Sequence, residues 1–291
     1  MKLHLIDGSG YIHRAFHALP PLTKADGTAV GALYGYCQML NSLVEDGGYT
    51  HIAVVLDGGH SGRKDIDPDY KATRKEKAPE LVAQLLAMPD ATASYGVTSV
   101  KIAGYEADDV IATMAKRFAA DGGDVVVYSS DKDLMQLLAE PGVGMYDPLK
   151  KQFVDEEVCR NRLGVAPHKV RDYLALVGDS ADNIPGVAGI GAKGAAKLIQ
   201  AHGSLHTILD IAASSPERLA CRPKQAAALV SGADDALKSW ALVGLQDVAG
   251  TPHHDDLAAT PYDPIRLHAF LRDMEFNLMA HELAQRFALA A

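Results

Sequence analysis

Carboxylates dominate the residues of this 291-residue chain that could do chemistry. Gly104-Tyr105-Glu106-Ala107-Asp108-Asp109 puts three of them within four residues, ahead of the apolar-periodic Val110, Ile111, Met114 and Ala115. It reads as the acidic first turn of a helix. One or two acids there complement the helix dipole, worth roughly 0.3–1 kcal/mol each. Three repel one another unless a positive charge sits among them, and Glu106 and Asp109, at i and i+3, are expected on one face. A divalent cation is the candidate counter-charge. Asp7, Asp57, Asp131, Asp133, Asp179 and Asp182 extend the set. A hard-oxygen group without His or Cys suits Mg2+ or Mn2+ and not zinc. Two such ions ~3.5–4 Å apart would activate a water and stabilise the leaving oxygen of a phosphodiester. Glu106, Asp109, Asp131 and Asp133 are expected to ligate directly or nearly so, and Asp7, Asp57, Asp108, Asp179 and Asp182 partly through waters. Asp108 is the weakest member, because at i+2 from Glu106 it should face away on a regular helix.

The elements that carry these residues are legible from periodicity. Lys2–Ile6, Ile52–Leu56 and Val125–Tyr128 are short apolar runs, each followed closely by aspartate, and a further strand falls near 97–102. Helical spacing at about 31–46 and 108–120 alternates with them, which is the pattern of a parallel α/β sheet whose sites gather beyond the carboxyl ends of its strands. Singly, each aspartate has a plainer reading: Asp-Gly at 7 and 57 is turn chemistry, and Asp131 can cap a helix. Together they would be several coincidences at one sheet edge. The Asp131-Lys132-Asp133 triplet by itself also admits an aspartyl-phosphate phosphatase, which would have no use for Asp179 or Asp182.

Between Asp57 and the next strand lies a basic stretch, Arg63-Lys64 to Lys77, including Tyr70-Lys71-Ala72-Thr73-Arg74-Lys75. Its cations suit a phosphate backbone and its tyrosine a stacked base. From about Asp155 the pattern is helical only: a helix from 155 to near Gly164, another from Pro167 to Leu176, then roughly 204–213, 223–231, 234–245 and 263–287, with Trp240 and Phe276 as core. Gly186, Gly189 and Gly191 precede a helix carrying Lys193 and Lys197. Their order is neither a dinucleotide-binding fingerprint nor a P-loop, and it leaves a helical hairpin whose amides approach a duplex backbone.

A net charge of −9 argues against a nucleic-acid binder at first sight, but the nine carboxylates singled out account for all of it. With 48% hydrophobic and 22% charged residues the chain is of ordinary soluble composition, and no apolar run reaches the ~20 residues of a membrane span. Three dispersed cysteines exclude a disulfide framework or a cysteine zinc site. The Met-Lys-Leu-His-Leu-Ile-Asp start lacks a signal-peptide layout, so a cytoplasmic protein is expected.

The motifs together resemble the 5′ nuclease domain of bacterial DNA polymerase I and the free-standing flap endonucleases. They are Asp7-Gly8 with Arg14-Ala15-Phe16, Tyr34-Gly35, Asp57, Tyr70 to Arg74, Gly104 to Asp109, Asp131-Lys132-Asp133-Leu134, and Gly178-Asp179 through Gly191. The resemblance implies a PIN-like α/β catalytic domain over 1–163 with a helical arch near 60–85. A helical DNA-binding domain over 164–291 would follow, with a helix-three-turn-helix near 178–200 that often holds K+. It assigns Lys71, Arg74 and Arg14 to the scissile phosphate, and all nine carboxylates to the metal site. Arg63, Tyr70, Lys75, Gly186, Gly189, Gly191, Lys193 and Lys197 are the expected DNA contacts. The sequence departs from the family at Gly62-Arg63-Lys64, where Phe-Arg-His or similar is usual, and at Thr73, where asparagine is common. The implied activity is structure-specific 5′→3′ exonuclease and flap endonuclease cleavage by a monomer acting on branched or 5′-ended duplex DNA, RNA–DNA primers included. The rival is a DNA-structure binding module with little turnover.

Overall fold

The computed structural model describes residues 1–59 and 62–289; His60 and Ser61, within the expected arch, and the last two residues of the expected helical domain lie outside the described residues. Six strands form one sheet: β1 (Lys2–Asp7), β2 (His51–Val55), β3 (Thr98–Val100), β4 (Asp124–Tyr128), β5 (Val143–Asp147) and β6 (Gln152–Val154). Their order is β3-β2-β1-β4-β5-β6, parallel except for the β5–β6 hairpin. The central β1 pairs with both β2 and β4, so the residues that follow these three strands leave the sheet side by side at its carboxyl edge.

Helices cover both faces. Helices α1 (Gly8–Ala18), α2 (Gly31–Asp46), α3 (Arg63–Ile66), α4 (Pro79–Ser94) and α5 (Ala107–Ala120) connect the first four strands. Then follow α6 (Glu156–Leu163), α7 (Val170–Val177), α8 (Ala192–His202), α9 (Leu205–Ser214), α10 (Pro223–Ser231), α11 (Ala233–Val243), α12 (Pro264–Asp273) and α13 (Asn277–Phe287). One core joins Leu3, Leu5, Val125 and Val127 to α5 and onward through α7 to α11. The other joins Ile6, Ile52 and Val54 to α1, α2, α4, α12 and α13.

Two expectations are corrected here. The 263–287 stretch is two helices, broken where Glu275 takes a left-handed φ of +57°. Both pack on the α2 and α4 face of the sheet, apart from the other helices that follow residue 164. Among the described residues of the expected arch, helix is confined to Arg63–Ile66 and the stretch from Pro79. Pro68 disfavours helix at Asp67, and Lys71 sits at φ +59°, so the intervening chain is turn and extended backbone.

Candidate metal centre and nucleic-acid interface

Asp7 ends β1 and caps α1, accepting from the Gly10 amide at 2.7 Å. Its other oxygen accepts from Ser129 Oγ at 2.8 Å. Asp57, just past β2, is exposed and accepts from the Ala107 amide at 3.0 Å, tying it to the start of α5. Beyond β4, the Asp133 amide donates to Asp131 Oδ1 at 3.0 Å, and Arg14 reaches Asp131 Oδ2 at 3.2 Å. Asp7, Asp57, Asp108 and Asp131 line a cleft of about 560 Å3 together with Glu106, Arg14, Lys71, Arg74 and Lys75.

These carboxylates feel one another. Burial pushes Asp7 up to about 6, against the bonds from Gly10 and Ser129, with Asp131 and Asp57 adding repulsion. Burial and then Asp131 push Asp133 up to about 7, and Asp133 Oδ1 is buried without a hydrogen-bond partner among the described residues. Asp108 is raised well above its ordinary value by desolvation, then by Asp131, Asp7, Asp133 and Asp57. Such a group favours the arrival of a cation.

The acidic turn at 106–109 divides differently from the helical-wheel expectation. Glu106 is the N-cap of α5 in extended conformation, with φ −79° and ψ 154°, so the helix begins after it and the i+2 argument against Asp108 does not apply. Asp108 faces the cleft. Asp109 does not: it is fully buried on the other side, bound bidentately by Arg63 at 2.6 and 2.8 Å and by the Gln246 amide at 2.8 Å. The positive charge needed between Glu106 and Asp109 is Arg63, whose Nη1 also lies 3.5 Å from Glu106. Burial works against the Arg63 cation, and Asp109 and Glu106 more than restore it.

Arg63 is thereby corrected as a DNA contact. It is 4% exposed and donates to the carbonyls of Leu242 and Gly244 besides Asp109. Tyr70 is corrected likewise: it is buried, and its hydroxyl donates to Glu106 at 3.2 Å, so its ring offers no face to a base.

A second group of carboxylates is already neutralised. Lys71 Nζ lies 2.7 Å from Glu106 and 3.7 Å from Asp182. Arg74 meets Asp182 at 2.5 Å, and Lys132 meets Asp179 at 2.6 Å. Burial alone would raise Asp179, but the bond and charge of Lys132 hold it low. The sequence reading passed over Lys132, although its place between Asp131 and Asp133 was a signal. It also passed over Ser9 and Ser129, whose hydroxyls fix the Asp57 backbone and the Asp7 carboxylate. The 67–74 segment rests on the 179–183 turn through Lys71 N to Asp182 O at 2.9 Å and Asn183 Nδ2 to Asp69 O at 2.8 Å.

The glycine loop joins α7 to α8. Gly178 and Gly186 pack backbone to backbone: a Cβ on Gly186, at φ +60°, would lie 2.4 Å from Gly178 N. Gly189 and Gly191 face open space, and Gly191 caps α8, on which Lys193 and Lys197 are exposed. Backbone amides beside two exposed cations at a helix N-terminus form an anion-binding surface.

Residues 2–164 match the family model described as 5′-3′ exonuclease, N-terminal resolvase-like domain, and residues 165–264 the one described as 5′-3′ exonuclease, C-terminal SAM fold. DNA polymerase I of Rhizobium leguminosarum is 40% identical over 97% of this chain, and a 5′-3′ exonuclease of Aquifex aeolicus 38% identical over 71% of this chain and 72% of its own length. The chain spans only 28% of that polymerase. Among solved structures, T5 5′-exonuclease with bound zinc superposes with a TM-score of 0.68 at 25% identity, covering 84% of this chain and 90% of that one. The catalytic core of Rad2 in complex with DNA shares the fold, with a TM-score of 0.62 at 14% identity over 100% of this chain and 92% of its own.

Proposed function

Because the chain belongs to the 5′-3′ exonuclease family and is a nuclease by that membership, we propose that it hydrolyses phosphodiesters of flapped and 5′-ended duplex DNA in the 560 Å3 cleft, using divalent cations. The observation that carries this reading is the burial and mutual repulsion of Asp7, Asp108 and Asp133 beside Asp57 and Asp131, with one buried oxygen of Asp133 that has no hydrogen-bond partner among the described residues. The donor set is all oxygen, which fits Mg2+ or Mn2+. Asp7, Asp57, Asp108, Asp131 and Asp133 would hold such ions, with Glu106, Asp179 and Asp182 joining once their lysine and arginine partners move to the substrate. When bound, the ions supply a water of lowered pKa and neutralise charge on the leaving oxygen, giving a 5′-phosphate and a 3′-hydroxyl.

The chain's own residues do the rest. Arg14, oriented by Asp131, and Lys71 and Arg74, poised on Glu106 and Asp182, present cations to the phosphate where charge develops. Gly189, Gly191, Lys193 and Lys197 hold the duplex backbone some distance from the cut, and the same loop is the proposed K+ position. Lys75 adds charge at the cleft mouth. RNA–DNA primers as substrates, a monomeric state and a cytoplasmic setting belong to the same proposal.

The test is cleavage of a 5′-labelled flap duplex in Mg2+ and in EDTA, with Asp133→Asn beside the unmodified protein. Cutting at the junction that both EDTA and the substitution abolish is expected. Tight flap binding without a cut in Mg2+ or Mn2+ would overturn the proposal in favour of a binding module.

A further inference from the structure

The strand β2 has a second cluster of ligand-type side chains at its other end, five residues and roughly 15 Å from the carboxylate cleft. His253, His254 and Asp255 each bring one candidate ligand atom to within 4.8 Å of the others. We propose that this triplet is a metal site for a borderline first-row cation of the zinc class, independent of the catalytic cleft.

Three observations support the assignment. First, Asp255 spans the two rings, its Oδ2 at 3.4 Å from His253 Nδ1 and its Oδ1 at 3.5 Å from His254 Nε2. Each separation, made by a different oxygen of Asp255, is long for an N–H···O bond and close to the ~3.3–3.4 Å between neighbouring ligands on a tetrahedral ion with bonds of ~2.0–2.1 Å, so a small turn of the exposed carboxylate would serve both rings with one ion. Second, His254 Nδ1 is buried with no hydrogen-bond partner among the described residues and lies 3.7 Å from Asp121 Oδ2. With Nε2 on a cation, Nδ1 would carry the proton, and Asp121 is the carboxylate near enough to take up that proton's hydrogen bond after a small movement, the arrangement that fixes a ligating imidazole. Third, the His254 ring is held edge-on by His51 and Phe118, at centroid distances of 6.2 and 5.9 Å, so its orientation does not have to be acquired on binding.

The donor set, two imidazoles and one carboxylate, is softer than the oxygen cluster of the cleft and selects a different cation. His253 and Asp255 have side chains 59% and 80% exposed, which leaves the solvent side open to water as a further ligand. The consequence is mechanical. The triplet sits in the strap between α11 and α12, which is tied to the sheet by Ala259 N to Thr50 O at 2.9 Å and to α5 by Arg117 with Thr251 at 3.1 Å. A bound ion would clamp this strap beside β2 and the end of α5.

The experiment titrates Zn2+ into the full chain by calorimetry and follows thermal unfolding with and without Zn2+. It compares the unmodified protein with His253→Ala, Asp255→Asn and Asp131→Asn. His253 and Asp255 are exposed, and the zinc-free melting temperature of each variant checks that its fold is kept. The expected result is one equivalent of zinc lost, or weakened at least about tenfold, in His253→Ala and in Asp255→Asn, with the zinc-induced rise in melting temperature lost too. Asp131→Asn keeps both. Zinc binding that is unchanged in His253→Ala, or lost only in Asp131→Asn, would overturn the proposal, as would its retention in Asp255→Asn.

Discussion

At the residue scale, adjacent aspartates in one turn have opposite duties. Asp108 is repelled by four other aspartates, Asp131, Asp7, Asp133 and Asp57, whereas Asp109 neutralises a buried arginine. Asp108→Asn removes a repelling charge, so the protein in chelator should melt at higher temperature while Mg2+-dependent cleavage falls ~100-fold or more. Asp109→Asn takes the bidentate carboxylate from buried Arg63 and leaves it the more distant Glu106, which costs about 3–5 kcal/mol and lowers the melting temperature before it touches the chemistry. Calorimetry and cleavage rates on the two variants separate these outcomes, and equal behaviour would refute the division. A different residue sets a pH dependence of folding. His4 is buried between Tyr49 and Tyr128 with neither ring nitrogen hydrogen-bonded among the described residues, and burial followed by Lys2 lowers it from 6.5 to about 4. Between these values the unfolded chain binds a proton that the folded chain refuses. The His4 contribution is therefore lost as pH falls from about 6.5 towards 4, by up to about 3 kcal/mol when fully developed, while Asp7 and Asp133, raised to about 6 and about 7, contribute with the opposite sign in the same range. Denaturant melts of both chains across that range should show His4→Phe gaining stability relative to the unmodified chain as pH falls, and a difference that does not change with pH would refute the assignment.

At the element scale, the parts that sequence made legible were those in which one physical requirement dominated. Three buried parallel strands read as apolar runs, and their aspartates fell at the shared carboxyl edge as expected. The hairpin β5–β6 and the helix α4 did not read: β6 has three residues, and α4 carries Pro89 and exposes Leu86, which blurs its periodicity. The fate of Asp108 and Asp109 was hidden because the wheel argument assumed that Glu106 lay within the helix, and a cap residue follows no wheel. Arg63 and Tyr70 read as nucleic-acid contacts because charge and aromaticity do not report burial, and only the partner across the fold, Asp109 or Glu106, decides it. In the glycine loop, spacing found the element but did not rank its members. Gly186→Ala must push against Gly178 backbone at 2.4 Å, beyond the ~1–2 kcal/mol of its left-handed conformation, so it should unfold the loop and abolish duplex binding. Gly189→Ala meets open space and should keep the fold at only that strain. Lys193→Ala, on the exposed face of α8, should weaken duplex binding about equally for all sequences and reduce its salt slope by about one, as measured by anisotropy titrations.

At the scale of the whole molecule, the two cores assign different tasks to helices that sequence pattern alone groups together. Helices α7 to α11 continue the core beneath α5 and so fix the 179–183 turn against the catalytic edge, through Arg63 on one side and Asn183 on the other. Helices α12 and α13 return to the opposite face of the sheet, where Leu267, Leu271, Phe276 and Leu283 join Leu33, Tyr36, Leu40 and Met88. None of the candidate site residues lies on these two helices, yet they cover the face behind β1 and β2, the strands that deliver Asp7 and Asp57. Phe276 is 2% exposed and stands edge-on to Tyr34 at 5.1 Å, so Phe276→Ala opens a cavity in that face. The expected cost is about 3–5 kcal/mol, a clear fall in melting temperature. Below that transition the variant should bind flap duplex with the affinity of the unmodified chain, because the glycine loop and its cations belong to the other core. Thermal unfolding and anisotropy on the same preparation test this. Loss of duplex affinity at a temperature where the variant is folded would show that the two cores are coupled, and that the last two helices act on the nucleic-acid surface as well as on the sheet.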